Sequence, residues 1–368
     1  MNHQYWMSQA LGLARKGAYS THPNPRVGCA VVKNEKLVAQ GWHEVTGGPH
    51  AEIMAINSAR VPVGSDFYVT LEPCSHQGRT PPCVDALIKL KPKRVIVAMQ
   101  DPNPAVAGEG IARLEAAGIE VTGGVLESEA RALNPGFISR MVKGRPFVRL
   151  KMAMSLDGRT ALKNGNSQWI SGEAARKDVQ FLRARSSAIL TSANTIMNDD
   201  PSLNLRLSKQ DLGQEVEVRQ PIRVIIDAQL RLSGNEKIFE TDGDIWIYTL
   251  NHSPRDVDRL VATGAKVEVM KNSRHKHISL PGLMSDLSQR EINEVHTECG
   301  QTLAGALLQA QLVDEMIIYM APRLMGNQSR GAFDLGELTS MADSVDCSIE
   351  AIRKIGDDVR LTLNPGNQ

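Results

Sequence analysis

Apolar residues recur along the chain in two rhythms. Over residues 3–18, Trp6, Met7, Ala10, Leu11, Leu13 and Ala14 fall at helical spacing and predict a helix. Two prolines in His22-Pro23-Asn24-Pro25-Arg26-Val27-Gly28 preclude a regular element, so that stretch reads as a turn. Short apolar runs predict strands over 27–32 and 37–42, joined by the polar Lys33-Asn34-Glu35. A Gly47-Gly48-Pro49 loop leads to a helix from His50 to about residue 60. A strand over 66–71, a helix over 84–90 entered through Pro81-Pro82, and a strand over 94–99 come next. Residues 108–117 read as a helix and 119–122 as a short strand.

Lys143-Gly144-Arg145-Pro146 marks a boundary, giving domains over 1–145 and 146–368. Beyond it, strands are predicted over 147–154, 188–192, 222–226, 244–249, 266–270, 293–297 and 315–320. Helices are predicted over 172–186 and 301–310, and the polar stretch 208–220 reads as a loop. Strands alternating with helices indicate an α/β layer fold with a mixed sheet.

At 368 residues the chain has length for two cores. A hydrophobic fraction of 42% and a charged fraction of 23% describe an ordinary globular protein, and nothing approaches a membrane-spanning run. The formal net charge of +1 argues against a nucleic-acid binder, which would carry a basic excess. Five cysteines form no disulfide framework, and the N-terminus lacks a charged region followed by an apolar run, so a cytoplasmic location is expected.

The chemistry concentrates in His50-Ala51-Glu52, Pro73-Cys74 and Cys83. One imidazole and two thiolates suit Zn²⁺, and three protein ligands leave a fourth position for a water that loses its proton near neutral pH. Glu52, two residues past the histidine, is placed to shuttle protons. The order H-x-E…P-C…C is that of zinc nucleobase deaminases, except that their usual second half is P-C-x-x-C. Here eight residues, Ser75-His76-Gln77-Gly78-Arg79-Thr80-Pro81-Pro82, separate the cysteines. An insert of that length predicts a substrate contact of its own: Arg79, helped by His76, against a phosphate. Two alternatives stand beside this, a closed structural site with His76 as fourth ligand and a solvated Arg79; Cys29 reads as a buried strand residue rather than a ligand. Gly108-x-Gly110 is only a fragment of a dinucleotide fingerprint and reads as a turn into a helix.

The run 70–83, Thr-Leu-Glu-Pro-Cys-Ser-His-Gln-Gly-Arg-Thr-Pro-Pro-Cys, closely resembles the bifunctional deaminase/reductase of riboflavin biosynthesis, and the resemblance extends over nearly the whole chain. It implies a cytidine-deaminase-like three-layer N-terminal domain and a dihydrofolate-reductase-like C-terminal domain. It implies zinc-dependent deamination of 2,5-diamino-6-(5-phosphoribosylamino)pyrimidin-4-one. NADPH reduction of the ribosyl group of 5-amino-6-(5-phosphoribosylamino)uracil to ribityl would follow. In the first half it places Asn24 and His43 on the pyrimidine; without it, His43 reads as a surface histidine near a strand end. In the second half it places Ala153, Trp169, Thr195, Asp199, Ala228, Gly300, Gln301, Thr302, Leu303, Ala304, Gly305 and Ala306 at NADPH. It places Lys151, Ser167, Arg183, Leu203, Arg206 and Glu298 at the sugar phosphate.

Without the resemblance, Arg183 reads as a solvated helix face, Trp169 as packing, and Glu298-Cys299-Gly300-Gln301-Thr302 as a tight strand-to-helix turn. A helix N-terminus beside small residues would suit an anion there. The expected partners are small pyrimidine ribosyl phosphates, with neither nucleic acid nor membrane, and a homo-oligomer stays open. Two rivals remain: a nucleoside or tRNA deaminase with an accessory domain, and a zinc-stapled binding protein without catalysis.

Overall fold

A computed structural model describes residues 2–76, 81–104, 106–215, 217–270 and 277–366. The chain divides into two units, Met1–Arg145 with Lys209–Val218, and Pro146–Ser208 with Arg219–Gln368.

In the first unit, α1 (His3–Arg15) precedes the hairpin β1 (Gly28–Lys33) and β2 (Lys36–Trp42). Then come α2 (Ala51–Ser58), β3 (Asp66–Val69), α3 (Cys83–Leu90), β4 (Arg94–Val97), α4 (Glu109–Ala116), β5 (Glu120–Thr122), α5 (Glu127–Leu133) and α6 (Pro135–Lys143). The sheet order is β2-β1-β3-β4-β5, antiparallel in its first two pairings and parallel in the others.

Alternate side chains of each strand point to opposite faces, and here both faces are covered. Cys29, Val31, Phe67, Val69, Val95 and Val97 pack with Ala55 of α2, Leu87 of α3 and Leu114 of α4. Ala30, Val32, Tyr68 and Ile96 pack with Met7 and Leu11 of α1 and Ala130 of α5. This is a three-layer α/β/α unit, and burial on both faces explains why β1, β3 and β4 read as unbroken apolar runs. Helix α1 lies against β1 so closely that a Cβ at Gly28 would fall 2.0 Å from the Ala10 carbonyl oxygen.

The second unit begins with β6 (Phe147–Ser155), β7 (Arg159–Ala161), α7 (Glu173–Arg185), β8 (Ala188–Ser192), α8 (Ala193–Asp199), β9 (Ile222–Ile226) and β10 (Ile245–Thr249). It continues with α9 (Pro254–Val261), β11 (Lys266–Val269), α10 (Leu280–Gln289), β12 (Glu294–Glu298), α11 (Gln301–Gln309), β13 (Glu315–Ala321), β14 (Arg330–Gly331), β15 (Cys347–Ile355) and β16 (Asp358–Pro365). Nine strands form one sheet in the order β11-β10-β9-β8-β12-β6-β13-β16-β15. It is parallel as far as β13, and β16 and β15 are added antiparallel at its edge.

One face of this sheet carries Val148, Leu150, Met152 and Val295 under Leu283 and Leu287 of α10 and Leu307 of α11. The other face has two apolar patches. Ile189, Ile225 and Ile247 pack with Ile196 and Leu260, and Ile317 and Tyr319 pack with Val179 and Leu182 of α7. Between those patches the alternation of β6 and β12 places Arg149, Lys151, Glu294, His296 and Glu298, a stripe of charge buried at Arg149, Glu294 and His296. Arg149, 1% exposed, lies between Glu294, at 3.3 Å, and Glu315 of β13.

Candidate active sites

The first site gathers at two helix starts. His50 is the residue before α2, Cys83 is the first residue of α3, and Cys74 follows β3. His50 Nδ1 lies 3.4 Å from Cys74 Sγ and 3.3 Å from Cys83 Sγ, and all three donor atoms lie within 4.8 Å of one another. A tetrahedral zinc with bonds of roughly 2.1 Å to nitrogen and 2.3 Å to sulfur holds such donors about 3.6 Å apart, so these three fit it. The Cys83 backbone amide donates to Cys74 Sγ at 3.3 Å, which orients that sulfur. The hydrogen bond between the cysteines lowers Cys74 and raises Cys83, and the bond to Cys74 raises His50.

Glu52, 3% exposed in the first turn of α2, faces this cluster. Burial, and then the charge on Cys74, push its carboxyl up to about 7. A group titrating there can both take and return a proton at neutral pH. His43 is buried, not a surface histidine. Its Nδ1 lies 3.0 Å from the Pro49 carbonyl oxygen and must donate, which leaves Nε2 to accept from Asn24 Nδ2 at 3.0 Å. Burial lowers the His43 pKa, consistent with that neutral ring. His76 is exposed, and Arg79 lies outside the described residues. Cys29 is buried in β1, as a strand residue would be.

Glu72 was not singled out by sequence reading. Its buried carboxylate accepts four backbone N–H groups: Asp101 and Gly108 on Oε2, Gly110 and Ile111 on Oε1. This is the turn that Gly108-x-Gly110 builds. Gly108 has φ of +85°, and a Cβ at Gly110 would fall 2.1 Å from the Pro73 carbonyl oxygen.

The second site is a cavity of about 670 Å³ in the second unit. Lys151, Ala153, Ser167, Trp169, Arg183, Thr195, Asp199, Leu203, Arg206, Glu298, Gly300, Gln301, Thr302 and Leu303 all line it. Ala228, Ala304, Gly305 and Ala306 do not. Ala304 and Gly305 point back into the core one turn along α11, where a Cβ on Gly305 would fall 1.8 Å from the Asp334 carbonyl oxygen. Ala228 packs against the apolar cluster of the sheet.

Arg183 is not a solvated face. It donates to both oxygens of Glu298, at 2.6 and 3.0 Å, and to the Asn204 carbonyl oxygen at 2.8 Å. Burial alone would raise the Glu298 pKa, but Arg183, His296 and Lys151 hold it well below the usual carboxylate range. Burial pushes the Lys151 ammonium down, and Glu298 opposes that. Ser167 Oγ donates to Asp199 Oδ1 at 3.0 Å. Gly300 precedes α11 without a side-chain cap, so the first amides of that helix stay available to an anion. Arg176 also lines the cavity, 4.7 Å from the Trp169 ring centre. The seven-residue step from Arg176 to Arg183, two turns along one helix face, was the available signal.

Comparison with known proteins finds a match for each half of the chain. Residues 1–99 match the cytidine and deoxycytidylate deaminase zinc-binding region, and residues 146–361 match the RibD C-terminal domain. Riboflavin biosynthesis protein RibD of Escherichia coli K12 is 47% identical, covering 99% of each chain. That of Bacillus amyloliquefaciens is 43% identical over 98% of this chain and 96% of its own. The Acinetobacter baumannii RibD structure superposes with a TM-score of 0.91 at 42% identity, covering 99% of each chain. The Thermotoga maritima diaminohydroxyphosphoribosylaminopyrimidine deaminase/5-amino-6-(5-phosphoribosylamino)uracil reductase does so with 0.86 at 33% identity and the same coverage. With a zinc-binding deaminase region followed by a reductase domain, the chain belongs to the RibD family of bifunctional riboflavin-biosynthesis enzymes.

Proposed function

We propose that residues 1–145 deaminate 2,5-diamino-6-(5-phosphoribosylamino)pyrimidin-4-one. Residues 146–368 then reduce the ribosyl group of the resulting 5-amino-6-(5-phosphoribosylamino)uracil to ribityl with NADPH. The observation that carries this reading is one chain with two unlike sites: a His/Cys/Cys cluster beside a buried Glu52, and a separate cavity lined by Lys151, Arg183, Arg206 and Glu298. The substrate identities follow the Thermotoga relative's name. The free cysteines suit a cytoplasmic setting.

In the first reaction His50, Cys74 and Cys83 hold zinc, which when bound activates a water toward the amino-bearing ring carbon. Glu52 takes a proton from that water and returns it to the departing ammonia. His43 pins Asn24, whose remaining amide groups fix the pyrimidine edge. His76 and Arg79 meet the phosphate. In the second reaction NADPH supplies the hydride when bound. Ala153, Trp169, Thr195, Asp199 and residues Gly300, Gln301, Thr302 and Leu303 would hold it, the uncapped amides at the start of α11 being suited to an anionic group. Arg206 and Arg183, with Ser167 and Leu203, seat the sugar phosphate. Glu298 and Lys151 face the ribosyl unit, where opening the ring calls for a proton on the sugar oxygen.

The test is incubation of zinc-loaded protein with the diaminopyrimidine phosphate. Ammonia should appear without NADPH, and NADPH should be oxidised only after deamination. NADPH oxidation preceding ammonia release would overturn the order, and no ammonia at all would overturn the first assignment.

A further inference from the structure

The stripe of charge on β6 and β12 contains a histidine that neither reaction has used. His296 is fully buried on β12, two residues before Glu298 on the same face. Its Nε2 lies 3.4 Å from Glu298 Oε1, and neither ring nitrogen has a well-aligned hydrogen-bond partner among the described residues. A buried polar side chain without a partner costs free energy, so its place is informative. It stands between two ion-pair networks. On one side is Arg149, its cross-strand partner on β6, with Glu294 and Glu315. On the other is Glu298, gripped by Arg183 of α7 and neighboured by Lys151 of β6.

We infer that His296 is a positioning residue for reduction, holding Glu298 Oε1 with an Nε2–H so that the ionised carboxylate presents Oε2 to the substrate. The inference rests on Glu298 serving the ribosyl substrate, as proposed above.

The chemistry fixes the tautomer. Glu298 is ionised and can only accept, so the nitrogen facing it must carry the proton. A second proton, on Nδ1, would have no acceptor in the interior, so the ring is neutral. Burial and the nearby Arg149 and Arg183 lower the His296 pKa in the same sense, against Glu298. Arg183 Nε and His296 Nε2 then both converge on Oε1, whereas among the described residues Oε2 receives only Arg183 Nη2. The less occupied oxygen is the one left for a ligand. A 3.4 Å contact is long, as such bonds often are before substrate binds.

The experiment compares the full-length zinc-loaded protein with His296→Phe, which keeps bulk and removes the donor, and His296→Gln, which keeps a donor. The expected result for His296→Phe is about a 10-fold loss in kcat/KM for reduction, with the acid limb of its pH profile moved upward because Glu298 has lost a donor. His296→Gln should recover most of both, and deamination should be unchanged in both variants. In the unsubstituted protein, ¹⁵N shifts should show the His296 proton on Nε2, a measurement that stands even if a variant fails to fold. An unshifted profile in His296→Phe, no recovery in His296→Gln, or a proton on Nδ1 would each overturn the inference. Glu298→Gln separates it from the reading beneath it: if that variant reduces normally the role of Glu298 is wrong, whereas loss of reduction there with a silent His296→Phe removes His296 alone.

Discussion

His50, Cys74 and Cys83 come from residues 50–83, and the two ends of that stretch start helices that bring them within 4.8 Å. The cavity of the second unit draws Lys151 from a strand, Arg183 from a helix, Arg206 from a loop and Glu298 from another strand. In the first site the chemistry resides in residue types at short range. In the second it resides in the fold, because only the parallel sheet brings the ends of β6 and β12 together. A local site should fail all at once when one residue is lost. A dispersed one should fail by degrees.

The sharpest break is at the cluster itself. Cys83→Ser should abolish stoichiometric zinc and deamination together, read by elemental analysis and ammonia release, while reduction of the second substrate continues. Zinc persisting at one per chain would remove Cys83 from the ligand set. Next, Glu52→Gln should retain zinc and lose about 10²–10⁴-fold in deamination, because an amide cannot shuttle protons. Near-normal ammonia release from it would end the proton-shuttle role.

In the cavity the expected losses are smaller. Arg206→Ala removes one charge-assisted contact, about 1.5–3 kcal/mol, so the reduction substrate should bind roughly 10- to 150-fold more weakly. Titration of binding, with deamination as the internal control, measures this; an unchanged affinity would move the phosphate elsewhere.

The smallest effect concerns stability of the second unit in acid. Ser155 Oγ, and then the Met325 and Gly326 amides, hold the Asp157 carboxyl down to about 2, linking the β6–β7 turn to the loop after β13. Its folded pKa lies below the unfolded value of about 3.9, so its contribution is complete above that pH and is lost as pH falls toward 2. Asp157→Asn should therefore flatten the acid limb of the second unit's stability and leave the first unit's unchanged. Parallel acid limbs in variant and parent would show the link to be without consequence.

The same contrast decided what could be read from the chain. The three donors and Glu52 were legible because metal chemistry restricts residue type and spacing. Strands β1, β3 and β4 were legible because burial on both faces leaves them uninterrupted. The hairpin of β15 and β16 was passed over although Cys347, Ile349 and Ala351, and then Val359, Leu361 and Leu363, alternate with polar residues; β15 is exposed at most positions, so its alternation marks no buried face. Helices α9 and α10 begin with proline in the first turn, a start signal that was there to be read, and α5 and α6 meet at Asn134-Pro135. The cavity residues were reached only by resemblance, and of the run it names along α11, Ala304 and Gly305 turn into the core beyond the cavity lining. Once a helix turns its next residues into the core, proximity in sequence no longer means proximity to the ligand.

Glu72 has a consequence for how the first unit handles anions. Four amides converging at the start of a helix are the cradle with which many proteins seize a phosphate. Here the cradle is already stoppered by the chain's own carboxylate. No phosphate can lodge at this helix end, and side-chain charge must take over that duty. Glycines that would advertise a nucleotide pocket thus mark a bung, set in place as the strand and helix close around it.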